Sequence, residues 1–224
     1  MAQGLREVQA RIESAAASAG RNVAEVTLVA VSKTFPAEAI RAAAAVGQRH
    51  FGENYVQEAR GKQDALADLD LVWHFIGPVQ SNKTREIAAH FDWVHGIERE
   101  KIARRLSEQR PEVLPPLNVC IQVNVSGEAS KSGVAPHEVA ALAGQVSGLS
   151  GLKLRGLMAI PEPGGDPRPR FRLLRELLDG LNAQGMALDT LSMGMSGDFE
   201  TAIAEGATLV RVGSAIFGKR NYAK

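Results

Sequence analysis

Cysteine is almost absent: Cys120 is the single one in 224 residues, so no intrachain disulfide framework can hold this chain and packing must suffice. Its place in the apolar stretch Leu117-Asn-Val-Cys-Ile-Gln-Val123 marks it as a small buried hydrophobe. Excess charge is lacking too. Twenty-six Lys and Arg against 25 Asp and Glu leave a formal +1, which gives no footprint for nucleic acid or an anionic membrane. No apolar run reaches the roughly 20 residues of a membrane span. At the alanine-rich N-terminus, Arg6, Glu7, Arg11 and Glu13 recur at helical spacing, which excludes the apolar segment of a signal peptide. There is no HExxH, no Cys/His cluster, no GxGxxG, no P-loop and no Gly-x-Ser-x-Gly elbow. The expectation is a soluble, cytoplasmic protein without a metal, long enough to bury a full core.

What is present is alternation. Short apolar runs are expected as strands at 26–33, 49–52, 72–77, 93–96, 118–125, 154–160, 190–195 and 209–213. Helical patterns lie between them at 37–46, 55–66, 83–90, 98–109, 136–146, 170–184 and 199–206. Pro36 suits a first helical turn, Ser81-Asn82 suits a cap, and Pro136 can open the fifth helix. Strands separated by helices in about eight repeats indicate a parallel sheet closed into a single (β/α)8 TIM-type barrel over residues 1–224. The helix at 4–19 has no preceding strand and is expected to cover the gap beside the last strand. The one Pro/Gly-rich stretch, Pro161–Pro169, reads as a barrel loop and not an interdomain linker.

Lys33 ends the apolar run Val26-Thr-Leu-Val-Ala-Val-Ser-Lys33, at the carboxyl face where barrels of this kind carry their chemistry. A strand-end lysine is either a nucleophilic amine in the mouth or a side chain reaching for water. Two further segments weigh on that choice. Met193-Gly-Met-Ser-Gly-Asp198 and Val210-Arg-Val-Gly-Ser-Ala-Ile-Phe-Gly218 place Ser196, Gly213 and Ser214 at two successive strand ends, a recurring phosphate site of this fold. Amine and anion cup together meet the needs of a covalently held pyridoxal phosphate. Arg211 can only donate, so it would face the ring nitrogen and discourage its protonation; the other reading is an ion pair inside the barrel, with Glu53. Asn54 either meets the cofactor's ring hydroxyl or caps the next helix. His74 reads as a satisfied core histidine, and the lysine-bearing Ser126–Gly133 segment on the active face as a solvated turn, the other readings being a gate over the mouth or a second anion site.

Taken in order, Val31-Ser-Lys-Thr34, His50-Phe-Gly-Glu-Asn-Tyr55, Trp73-His-Phe-Ile-Gly-Pro-Val-Gln-Ser-Asn-Lys83, Gly127-Glu-Ala-Ser-Lys-Ser-Gly133, Leu157-Met-Ala-Ile-Pro161, Met193-Gly-Met-Ser196 and Val210–Gly218 resemble the pyridoxal phosphate homeostasis protein family over nearly the whole chain. That family is similar to the N-terminal barrel of alanine racemase. The resemblance implies that Lys33 holds pyridoxal 5'-phosphate as a Schiff base. Ser196, Gly213 and Ser214 would bind its phosphate, Arg211 would face its ring nitrogen, and Met158 would pack on its ring. Gly197 and a short Pro161–Pro169 loop depart from the family pattern and bear on loop shape.

Two functions of different class follow. One is a non-catalytic carrier that supplies pyridoxal phosphate to apo-forms of pyridoxal phosphate enzymes, a monomer with no nucleic-acid or membrane partner. The alternative is an amino-acid racemase. Racemisation needs a base on each face of the α-carbon, and Lys33 supplies one. In alanine racemase the opposing tyrosine comes from a further C-terminal domain; here only Tyr55 and Tyr222 occur, in no matching motif. The carrier is therefore favoured. A third reading, a sugar-phosphate isomerase, makes no use of Lys33.

Overall fold

A computed structural model of the chain describes residues 1–127, 132–162 and 164–218. Eight parallel strands close into a barrel in chain order: β1 Thr27–Val31, β2 His50–Glu53, β3 Val72–Phe75, β4 Trp93–Ile97, β5 Leu117–Gln122, β6 Leu152–Met158, β7 Thr190–Ser192 and β8 Leu209–Val212. Closure is made by β1 against β8, with Val29 opposite Arg211 and Ala30 opposite Val212. The expected (β/α)8 fold is observed. Six of the eight strands stop one to three residues short of their apolar runs at the carboxyl end, because loop backbone takes over once a partner strand is no longer alongside, while β2 and β4 run one residue further.

Helices α1 Ala2–Ser18, α2 Ala37–Ala44, α3 Val56–Ala65, α4 Thr84–His90, α5 Glu100–Glu108, α6 Val139–Ser147, α7 Arg168–Ala183, α8 Phe199–Ala204 and α9 Ser214–Phe217 surround the strands. Two expected start signals behave differently from a simple cap. Ser81–Lys83 forms a 3-10 turn ahead of α4, where Thr84 Oγ1 donates to Ser81 O at 3.0 Å. Pro136 likewise opens a 3-10 turn before α6. As expected, α1 lies beside the last strand, packing against α8 and α9 and burying Leu5, Val8, Ile12 and Ala16.

Side-chain alternation divides the strands into two faces. Leu28, Ala30, Phe51, Val119, Ile121, Leu157, Val210 and Val212 join the apolar layer under the helices. The opposite parity fills the barrel interior: Val29, Val31, His50, Gly52, His74, His95, Cys120, Gln122, Gly156, Met158, Ser192 and Arg211. The interior is thus unusually polar, and it is compact. At Gly156 a Cβ would lie 1.8 Å from Thr190 O, so only glycine lets β6 and β7 approach. Gly156→Ala is expected to destabilise the fold by about 3 kcal/mol or more, read from the urea unfolding midpoint. An unchanged midpoint would mean the two strands separate freely.

Candidate functional site

At the carboxyl ends of the strands a cleft of about 290 Å³ opens. It is lined by Val31, Lys33, Asn54, Ile76, Ile160, Met195, Ser196, Gly197, Arg211, Gly213 and Ser214. Six of the seven residues singled out from sequence therefore meet in one place. The seventh, Met158, is 1 % exposed and does not line the cleft; Ile160, two residues on along the same face, does.

Lys33 is half-buried, lies in the turn two residues beyond Val31 where β1 ends, and lines the cleft together with Val31. Its two neighbours are clamped from outside the barrel. Ser32 Oγ donates to Glu53 Oε1 at 2.6 Å, and Ser32 O accepts from the buried Lys62 Nζ at 2.9 Å. Lys62 also pairs with Glu53 and Glu58, both at 2.6 Å. On the other side Thr34 N–H donates to Glu58 Oε1 at 2.6 Å while Thr34 holds φ at +71°. A β-branched residue there is strained by roughly 1–3 kcal/mol, and the Glu58 bond helps to hold it. Burial pushes the Glu53 carboxyl up, with Lys62 and Ser32 pulling it back. The proposed Arg211–Glu53 pair does not form, because Glu53 faces the helices and Arg211 the interior.

Arg211 instead donates through one terminal nitrogen to Ser192 Oγ at 2.6 Å and through the other to Ala159 O at 2.9 Å. It has no ion pair among the described residues. Burial lowers its pKa to about 10, so it stays cationic at neutral pH. Asn54 caps nothing: Tyr55 precedes α3, and Asn54 Oδ1 is buried without a partner. An amide atom left so is costly unless a ligand meets it. Ser196 Oγ approaches Gly213 N at 3.4 Å, which joins the two glycine- and serine-bearing segments into one polar wall.

His74 is buried and hydrogen-bonded, as its isolation in sequence implied. Cys120 is fully buried and its thiol is pushed up to about 12 by that burial. Residues 128–131 of the Ser126–Gly133 loop, Pro163 and Tyr222 lie outside the described residues. Around them, Ser126 and Gly127 N–H groups donate to Asn124 Oδ1, and Gly133 N–H to Glu98 Oε2. Tyr55 is 57 % exposed and lines a neighbouring cleft with Gln57, Phe75 and Lys83. Sequence reasoning missed the Ser32–Glu53–Glu58–Lys62 clamp and the part played by Ser192 and His95. Glu58 and Lys62 at i,i+4 were a visible helical pair, but nothing in the spacing said that the pair points inward.

The family model of the alanine racemase N-terminal domain matches residues 5–221. The pyridoxal phosphate homeostasis protein of Pseudomonas aeruginosa is 63% identical over 225 residues, spanning 99% of this chain and 96% of that protein. This chain belongs to the pyridoxal phosphate homeostasis family. A solved family structure, PipY of Synechococcus elongatus PCC7942 with PLP bound, is 42% identical with a TM-score of 0.82 over 92% of this chain and 100% of that one. Without PLP the same protein gives 40% and 0.87 over 97% and 100%. Alanine racemase from Corynebacterium glutamicum, at 17% identity and a TM-score of 0.71 over 96% of this chain and 62% of that one, shares the fold alone.

Two predictions follow from the charges. Lys62→Met leaves Glu53 uncompensated and should cost about 3–5 kcal/mol in chemical denaturation; adding Glu53→Gln should restore much of it. A double variant no more stable than the single one would show that the pair does not act as a unit. The second concerns pH. His95 is held to about 3 by burial and by Arg211, and His50 and His74 are lowered by burial. Unfolded imidazoles take up protons near about 6.5, so stability is complete above that pH and falls as pH drops below it. The thermal midpoint should decline from pH 7 to pH 5, where carboxylates contribute little, and decline less in His95→Gln. A midpoint flat across that interval would contradict neutral buried imidazoles.

Proposed function

We propose that this chain, working as one barrel domain over residues 1–224, holds pyridoxal 5'-phosphate through Lys33 and supplies it to apo-forms of pyridoxal phosphate enzymes, without catalysing amino-acid chemistry itself. The observation that carries this reading is the convergence of one amine, one polar wall and one buried guanidinium on a single cleft. The unmet Asn54 Oδ1 supports the fit, since the pocket's own residues leave it without a partner. When bound, the group supplies an aldehyde that condenses with amines and a ring that can accept electrons. Lys33 is the residue that would hold the aldehyde carbon. Ser196, Ser214 and the Gly213 backbone would hold the phosphate, and Asn54 the ring hydroxyl. Ile76, Ile160 and Met195 would cover apolar surface, backed one pleat below by Met158.

Arg211 is a donor-only cation lining the cleft; facing the ring nitrogen it would be unable to accept from a ring N–H, which would disfavour a protonated ring and weaken electron withdrawal. Lys33 is also the only proton-transferring base among the described residues lining the cleft; no Tyr, His, Cys or carboxylate joins it. A two-base racemisation lacks its second base there. The closed barrel leaves no unpaired strand edge among the described residues, which supports a monomer as the working unit. No described helix is long and apolar enough to cross a membrane, which accords with a cytoplasmic carrier.

The loaded protein should show an absorbance band that borohydride fixes onto Lys33. Lys33→Ala should lose the band and keep the fold, and Ser196→Ala should release the group faster, by roughly tenfold for one lost charged hydrogen bond. Mixing the loaded protein with an apo-enzyme and a trap for free aldehyde tests the supply role. Activation that vanishes in the trap's presence would leave storage but not hand-over, and solvent deuterium entering an amino acid's α-position at an enzyme-like rate would favour the racemase.

A further inference from the structure

Behind Arg211 the barrel interior contains an unbroken line of hydrogen-bonding side chains. Ser192 Oγ lies 2.7 Å from His95 Nδ1, His95 Nε2 lies 2.9 Å from His74 Nδ1, and His74 Nε2 lies 2.9 Å from His50 Nδ1. Ser192, His74 and His95 are fully buried. His50 begins β2, is half-buried, and lines a separate cleft of about 500 Å³ at the amino ends of the strands. The line therefore runs the length of the barrel, from the cleft-facing guanidinium to the opposite mouth.

Its direction is fixed by the only member that cannot accept. Arg211 donates to Ser192 Oγ, so the single hydroxyl proton must go elsewhere. Among the described residues Ser192 Oγ meets no other acceptor than His95 Nδ1. His95 Nδ1 is then bare, and a neutral ring places its proton on Nε2, facing His74 Nδ1. The same reasoning passes to His74 and on to His50, whose Nε2–H is left at the far mouth. Both ring nitrogens of His95 and of His74, and Nδ1 of His50, have a partner in this order. In the reverse order His95 Nδ1–H would point at Ser192 and strand the hydroxyl proton in a buried site.

We propose that Ser192, His95, His74 and His50 form a one-way hydrogen-bond relay that holds Arg211 as the donor facing the cleft and couples it to protonation at the opposite mouth of the barrel. Protonating His50 makes both of its nitrogens donors. His74 and His95 must then exchange tautomers, and the Ser192 hydroxyl loses its acceptor beside Arg211. Charged and titratable groups around His50 are His74 within the barrel, Asp92 and beyond it Arg110 and Asp70, with Arg49 and Glu13 lining the same cleft. Asp92 favours the His50 cation and burial opposes it. Around His74 lie His50, His95 and the stacked Trp93 ring; around His95 lie His74, Trp93 and Arg211. His95, His74 and Ser192 are on this view positioning residues that act through Arg211.

The relay toward the cleft's ligand rests on the proposed binding of pyridoxal phosphate, but its internal order does not, so the two can fail separately. Imidazole nitrogen NMR of the ligand-free protein at pH 7.5 should show all three rings neutral with the proton on Nε2. A His95 proton on Nδ1, or a charged His95, would overturn the relay. In protein loaded with pyridoxal phosphate, Ser192→Ala should release it about tenfold faster and shift the absorbance band, while Ser192→Thr should restore both. His50→Phe should remove the pH dependence of release between pH 5 and 7.5. Release and band unchanged in Ser192→Ala, or a pH profile unchanged in His50→Phe, would overturn the coupling. If the wild-type protein takes up no pyridoxal phosphate, the functional reading fails, and the NMR result alone decides whether the relay exists.

Discussion

A guanidinium taken out of water must find acceptors, and in this barrel Arg211 finds a hydroxyl and a carbonyl in place of a carboxylate. Burying a cation without an opposite charge is costly, and the cost is tolerable only when its donors are met. The surroundings are organised to meet them. Ser192 is held by His95 and His95 by His74; burial and the nearby Arg211 cation lower the His95 pKa, and burial with the two neighbouring imidazoles lowers that of His74. A carboxylate in Ser192's place would give an ion pair and neutralise the field at the cleft. The arrangement keeps a full positive charge aimed at the site.

The amine side of the cleft is held by a different device. Lys33 lies between Ser32 and Thr34, and both neighbours are bonded to one buried cluster of Glu53, Glu58 and Lys62 on the helix side of β1. Thr34 in the left-handed region shows that the chain leaves the strand under local strain. The cluster fixes the backbone on both sides of Lys33 from outside the barrel, while Lys33 itself lines the cleft. Two charge systems, one on each face of the sheet, thereby converge on the same cleft from opposite sides without sharing a residue.

Much of this was legible from the chain alone, because periodicity is a local property. Apolar runs alternating with helical patterns sufficed for a parallel barrel, and β1 through β8 fall within or beside the expected runs. Glycine and serine at two successive strand ends pointed to a shared wall, since consecutive strands of a barrel are neighbours. Lys33 could be placed at the mouth because it ends an apolar run, and Arg211 within the last strand because it lies two residues before Gly213. Boundaries were less exact: Ser81 and Pro136 look like helix starts but sit in 3-10 turns, where competing side-chain and backbone bonds choose the geometry.

Sequence by itself determined which residues stand at strand ends, because an apolar run that stops at a glycine, serine or lysine marks the end of a strand. Tertiary structure alone decided who meets whom. Glu53 could have turned to Arg211 but lies on the helix face with Lys62; His50, His74 and His95 are 24 and 21 residues apart in sequence and touch only because adjacent strands are in register. Pairing across a barrel depends on shear and closure, and these are set by the whole sheet and written in no short stretch of it.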